Sequence, residues 1–120
     1  MEYLSKVINE TQRQYPISQF DREASQDIEI NGIKVLKGQL VTALVNAVHS
    51  DENIYSQSEK FLPERETQSD AFFPFGNGPR NCIAMRFALL EMKLVLTKIL
   101  TKYRLENCEK TIVRILKHFN

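Results

Sequence analysis

The sequence predicts a mainly α-helical fold that carries small β hairpins. Three observations lead there. Residues 2–14 place Leu4, Val7, Ile8 and Thr11 at near-helical spacing. Asn31-Gly32 stands between two short alternating runs, Asp27–Ile30 and Ile33–Val35, which is the signal of a tight hairpin turn. From Met85 to Leu100, apolar residues cover most of a helical circumference, a pattern that marks a largely buried helix and makes it the expected main part of the core.

The elements follow in order. Tyr15-Pro16 ends the first helix, because the residue before a proline avoids the α region. Glu10 and Arg13, three residues apart on that helix, are close enough to pair; in isolation they read as a surface ion pair worth a few tenths of a kcal/mol. Ile17 to Gln26 is polar and reads as irregular. After the hairpin, Lys37-Gly38 makes a turn, residues 39–43 read as a strand, and a short helix follows to Val48. Residues 50–81 lack periodicity and carry Pro, Ser, Asn and Gly; loops this long in compact domains are usually functional. Tyr103–Glu106 reads as a strand, and Thr111–Phe119 as strand or helix.

A chain of 120 residues with a net charge of +1 suits one small domain and shows no basic stripe, so no nucleic-acid partner is expected. Arg86, Glu91, Lys93 and Lys98 interrupt the longest apolar run, so it does not read as a membrane span, and Glu2 and Lys6 make residues 2–14 read as a helix and not as a signal peptide. Two cysteines make no disulfide framework. A zinc site from Cys82, Cys108, His49 and His118 would need long, irregular spacings, and both histidines read as loop or surface residues.

The stretch Phe72-Phe73-Pro74-Phe75-Gly76-Asn77-Gly78-Pro79-Arg80-Asn81-Cys82-Ile83-Ala84 runs an aromatic, Gly- and Pro-rich loop into one cysteine. Gly76 and Gly78 permit a tight fold around a single sulfur. Cys82 is expected where the long helix begins, where orphan N–H groups and the helix dipole favour a thiolate. With Arg80 two residues earlier, this reads as a ligand to a large metal cofactor. A buried free cysteine in a glycine turn is the plainer alternative.

Phe75, Gly76, Gly78, Arg80, Cys82, Ile83 and Ala84 resemble the haem-binding signature of the cytochromes P450. Asn9-Glu10-Thr11-Gln12-Arg13-Gln14-Tyr15-Pro16 resembles that family's Glu-x-x-Arg helix, and Pro63-Glu64-Arg65 the Pro-Glu-Arg that supplies a second arginine. The wording is closest to the animal drug-oxidising and thromboxane-synthase branch. The resemblance implies the C-terminal part of the P450 fold: a Glu-x-x-Arg helix over 1–15, a β region and short helix over 27–48, a meander and Cys loop over 50–81, and a long buried proximal helix over 82–102.

It further implies haem b (iron protoporphyrin IX) as cofactor, with Cys82 as the metal ligand and Phe75, Gly78, Arg80, Ile83 and Ala84 as haem-binding companions. Glu10, Arg13 and Arg65 would form a structural charge network, and Ile17, Ser18, Gln19 and Phe20 are the substrate-pocket candidates. No catalytic residue is assigned. The implied activity is monooxygenation of a lipophilic small-molecule substrate, with electrons from an NADPH-dependent P450 reductase docking on the proximal face. Arg86, Lys93, Lys98 and Lys102 would serve that docking, or form an ordinary solvated face. The parent enzyme would sit on the cytosolic face of the endoplasmic reticulum membrane through an N-terminal anchor missing here.

The pattern has departures. The arginine that relatives place after the Tyr-Pro turn to meet a haem propionate is absent: Gln19 or Phe20 stands nearest, and Arg22 falls in another register. Leu36 replaces the usual proline before Lys-Gly, Glu66 follows Arg65 in place of a phenylalanine, and residues 66–71 are short. A complete member is much longer and carries a distal oxygen-activating helix. This chain is therefore expected to be a fragment, inactive by itself. A non-catalytic haem-binding protein and the inert product of a gene fragment are the alternatives.

Overall fold

The computed structural model describes residues 2–17, 19–66 and 70–111. Helix α1 (Glu2–Gln14) turns Ile8, Glu10 and Arg13 inward and ends with the Tyr15 N–H donating to the Thr11 carbonyl at 2.8 Å. Strand β1 (Phe20–Glu23) comes next, in a stretch whose polarity predicts no strand. Its partner, β4 (Leu40–Ala43), explains it: the pair is antiparallel, Phe20 opposite Ala43 and Glu23 opposite Leu40, and the Thr42 hydroxyl donates to the Asp21 carboxylate at 2.6 Å. Pairing with a distant strand overrides local composition.

Inside that pair lies the hairpin of β2 (Ile28–Ile30) and β3 (Ile33–Val35), with Glu29 opposite Lys34. Asn31 at φ 49° and Gly32 at φ 80° supply the left-handed turn that a two-residue loop requires. The fold is thus helices with small antiparallel strand pairs. Helix α2 (Val45–His49) follows β4 directly.

The described core differs from the one expected. Its buried residues are Ile8, Val35, Val45 and Tyr55, with the polar Glu10, Arg13, His49 and Ser58. His49, read as a loop or surface residue, is a buried helix residue with no exposed surface; His118 lies outside the described residues. Helix α3 (Met85–Leu100) contributes no buried residue at all. Phe87, Leu90, Leu94, Val95 and Leu100 stay exposed, because an all-round apolar helix needs neighbours on every side and, among the described elements, only α1 packs appreciably against α3. The total accessible surface, 10304 Å², well exceeds the roughly 6,700 Å² of a compact monomer of 14.0 kDa.

Two further expectations are corrected. The helix begins at Met85 and not at Cys82, because Cys82 is still held in the loop by its own N–H donating to the Phe75 carbonyl. Tyr103–Glu106 forms no strand: it is exposed and pairs with no other strand among the described residues. Most of Thr111–Phe119 lies outside the described residues. No described helix is long and apolar enough to cross a membrane.

Candidate functional site: the Cys82 loop and its buried support

The support is built on Arg13, whose side chain has no exposed surface. Its Nε and Nη2 donate to the two oxygens of Glu10, each at 2.9 Å, the bidentate geometry that suits a guanidinium to a carboxylate. Nη1 donates to the His49 carbonyl at 2.7 Å and Nη2 to the Ser58 carbonyl at 2.6 Å. One side chain therefore ties α1 to α2 and to the loop beyond it. The guanidinium also stands 5.5 Å from the centre of the buried Tyr55 ring.

Glu10 completes the cluster. Its Oε1 accepts the Leu62 N–H at 3.0 Å and lies 3.5 Å from Arg65 Nε. Burial pushes the Glu10 pKa up. The Arg13 and Leu62 hydrogen bonds and the charges of Arg13 and Arg65 outweigh that, so the carboxyl sits below its usual range. Arg65 in turn donates to the carbonyls of Ser56, Gln57 and Lys60. The structure thus brings Glu10, Arg13 and Arg65 together. What the sequence does not announce is that most of the arginine donors go to backbone carbonyls of the 49–60 stretch. Glu52 adds to this order by accepting the N–H groups of Gln57 and Ser58 and the Ser58 hydroxyl. A stretch without periodicity is fixed by polar groups, so periodicity could not reveal it.

The loop itself closes through its own backbone. Gly76 N–H donates to the Phe73 carbonyl at 3.0 Å, Asn81 N–H to Gly78 at 3.1 Å, and Cys82 N–H to Phe75 at 2.9 Å. Gly76 and Gly78 both adopt φ 80°, a region that L side chains avoid. Gly76 is also crowded: a Cβ there would lie 3.3 Å from Cε1 of Phe20. The loop presents Arg80, Cys82, Ile83 and Ala84 on its exposed side, and Phe75 is half-buried.

The substrate-pocket candidates are not gathered. Ile17 is 96% exposed, Gln19 is exposed, and Ser18 lies outside the described residues. Phe20 alone lines a cavity of about 290 Å³, together with Arg22, Val41, Ala43, Asp70, Phe73 and Asn77. Cys82 does not line it. Arg22, unplaced by the sequence, reaches the Cys loop, its Nη2 3.4 Å from the Arg80 carbonyl.

The donor set decides what metal chemistry fits. Among the described residues no three His, Cys, Asp or Glu side chains converge on a point where they could hold a metal ion, and His118 of the zinc set lies outside those residues. Cys82 is a free, exposed thiol on a loop closed by backbone hydrogen bonds, followed by apolar Ile83 and two residues after cationic Arg80. One thiol with an exposed apolar side chain and a cation near it is compatible with the single-ligand haem site that the P450 resemblance implies.

Comparison with known proteins identifies the class. The cytochrome P450 family model matches residues 1–119, and the chain belongs to the cytochrome P450 family. Cytochrome P450 3A31 of Mesocricetus auratus is 49% identical over 119 residues, covering 92% of this chain and 24% of that protein. Cytochromes P450 3A2 of Rattus norvegicus and 3A11 of Mus musculus are each 44% identical with the same coverage. The chain thus spans about a quarter of the length of these relatives.

Proposed function

We propose that this chain is the C-terminal, haem-binding part of a haem-thiolate monooxygenase, with Cys82 as the iron ligand. The observation that carries this reading is the closed Cys82 loop standing on a buried Glu10–Arg13–Arg65 cluster. Phe75, Gly78, Arg80, Ile83 and Ala84 would line the haem, with Arg80 facing an acidic edge. The bound haem supplies the oxygen-activating iron, to which a thiolate pushes electron density. The residues present here position that thiolate: Phe75 fixes the Cys82 N–H, the glycines allow the turn, and Arg13 holds the preceding segment.

A lipophilic small molecule is the proposed substrate class of the complete enzyme, and an NADPH-dependent reductase its electron donor at the face of Arg86, Lys93, Lys98 and Lys102. The endoplasmic reticulum membrane is its proposed location. The exposed apolar side of α3 favours the further reading that this chain by itself binds haem weakly and turns over no substrate. Reconstitution with haem tests the ligand. The reduced, carbon-monoxide-bound spectrum should carry the thiolate Soret shift in the parent chain and in Cys108→Ser, and should lose it in Cys82→Ser. Loss with Cys108→Ser instead would refute the assignment.

A further inference from the structure

His49 links the buried cluster to the head of the Cys82 loop. Its backbone carbonyl accepts Arg13 Nη1 at 2.7 Å, and its side-chain Nε2 accepts the Phe73 N–H at 3.2 Å. The ring is stacked on Phe72 at 5.4 Å, edge-on to Phe73 at 5.4 Å, and edge-on to Tyr55 at 6.1 Å. A phenyl ring could fill that aromatic space. Only an imidazole also offers a lone pair to Phe73. Because a backbone amide is always a donor, Nε2 must be the unprotonated nitrogen and the hydrogen must sit on Nδ1.

We infer that His49 is a pH-sensitive clamp: as a neutral imidazole it holds Phe73, and with it the head of the Cys82 loop, against the Glu10–Arg13 cluster, and protonation opens it. A second ring proton would set two donors against each other across the present 3.2 Å contact. The effect would pass on through Phe73, whose carbonyl accepts Gly76 N–H, to the residue packed against Phe20.

The surroundings set the pH at which this happens. Burial disfavours the imidazolium, and the Arg13 guanidinium on α1 adds repulsion. The backbone of Arg13 and of Gln12 pulls the other way, while Nδ1 has no hydrogen-bond partner. Glu10 offsets part of the Arg13 charge by pairing with it. Tyr55 is the remaining titratable neighbour and stays neutral, its pKa raised by burial. Phe72 and Phe73 carry no charge. The balance leaves His49 below its ordinary value of 6.5. The sign follows: an unfolded histidine takes up a proton near 6.5 while the folded one does not, so stability from the neutral ring is complete above that pH. It declines as pH falls, and the clamp opens as pH passes through the folded value.

That the clamp serves haem binding rests on the proposed function; the clamp itself does not, and its test needs no haem. Amide hydrogen exchange with single-residue resolution is measured on the full chain from pH 8 downward until Leu62 protection is itself lost, corrected for intrinsic rates. Phe73 protection should fall roughly three- to tenfold, the loss of one hydrogen bond, while Leu62, held by Glu10, keeps its protection. His49→Phe should show the lowered Phe73 protection at every pH with no pH dependence. Phe73 protection that is flat with pH, Phe73 and Leu62 failing together in the parent chain, or parental Phe73 protection in His49→Phe would each overturn the inference. Nitrogen NMR of the imidazole gives a check independent of any variant: an Nε2–H tautomer at pH 8 would also overturn it.

Discussion

Truncating Arg13 to alanine removes more than an ion pair. Glu10 keeps only the Leu62 N–H and the 3.5 Å approach of Arg65, while its side chain remains 2% exposed. The His49 and Ser58 carbonyls lose their arginine donors inside the structure. Breaking a buried pair by removing one partner costs about 3–5 kcal/mol, and orphaned buried acceptors push toward the top of that range. A small domain has only about 5–15 kcal/mol in total, so Arg13→Ala should leave the 49–60 stretch unanchored or the chain unfolded. Arg13→Lys separates charge from geometry: it retains the cation but cannot form the fork to Glu10 and reach two carbonyls at once, so it should recover only part of the loss. With no tryptophan in the chain, urea unfolding is best followed by far-UV dichroism, alongside Leu62 amide exchange. An Arg13→Ala chain within about 1 kcal/mol of the parent, the range of a surface pair, would refute this account of the cluster.

Gly76→Ala should destabilise the Cys loop by about 1–2 kcal/mol through its left-handed φ, with an added clash that Phe20→Ala relieves; Gly78→Ala, with open space around it, should show no dependence on Phe20. Haem uptake and loop proteolysis would report both. Acid should loosen the Glu10 cluster separately from His49. A depressed carboxyl contributes stability that is complete above its unfolded value of 4.5 and is lost as pH falls through the lower folded value, so Leu62 amide protection should persist to below pH 4.5 and then collapse. Finally, Phe87→Glu with Leu94→Glu on the exposed side of α3 should reduce concentration-dependent self-association in sedimentation, while sparing Leu62 protection.

The strand alternation around Asn31-Gly32 was legible because a two-residue turn leaves one register for its flanking strands. Strand β1 was not, since its pairing with β4 skips over the hairpin and the polar run Asp21-Arg22-Glu23 carries no apolar alternation. The residues of the site stood out by motif: the glycines, Arg80 and Cys82 in one loop, Glu10 and Arg13 on one helix. Their wiring did not. Arg13 and Arg65 spend most of their donors on main-chain carbonyls, which any sequence offers equally at every position. His49 reads as a loop or surface residue for the same reason: a lone histidine after an apolar run carries no mark of the backbone amide that it meets in the fold.

The burial pattern turns the usual relation between core and function around. The apolar helix expected to form the core is the exposed element, and a charged cluster occupies the interior. Apolar contacts are non-directional and tolerate sliding. A guanidinium fork satisfied by one carboxylate and two carbonyls does not, because each displacement breaks a bond whose partner is buried. Such a core contributes less net stability than hydrocarbon packing of equal volume, but it fixes where the segment from His49 to Ser58 lies relative to α1. The Cys82 loop meets that segment through the imidazole hydrogen bond to Phe73 and the stacking of His49 on Phe72, and meets β1 through Phe20 and Arg22. Placement of the loop therefore draws on that polar registry as well as on its contacts with β1, and the exposed apolar surface of α3 remains available to whatever packs beside it.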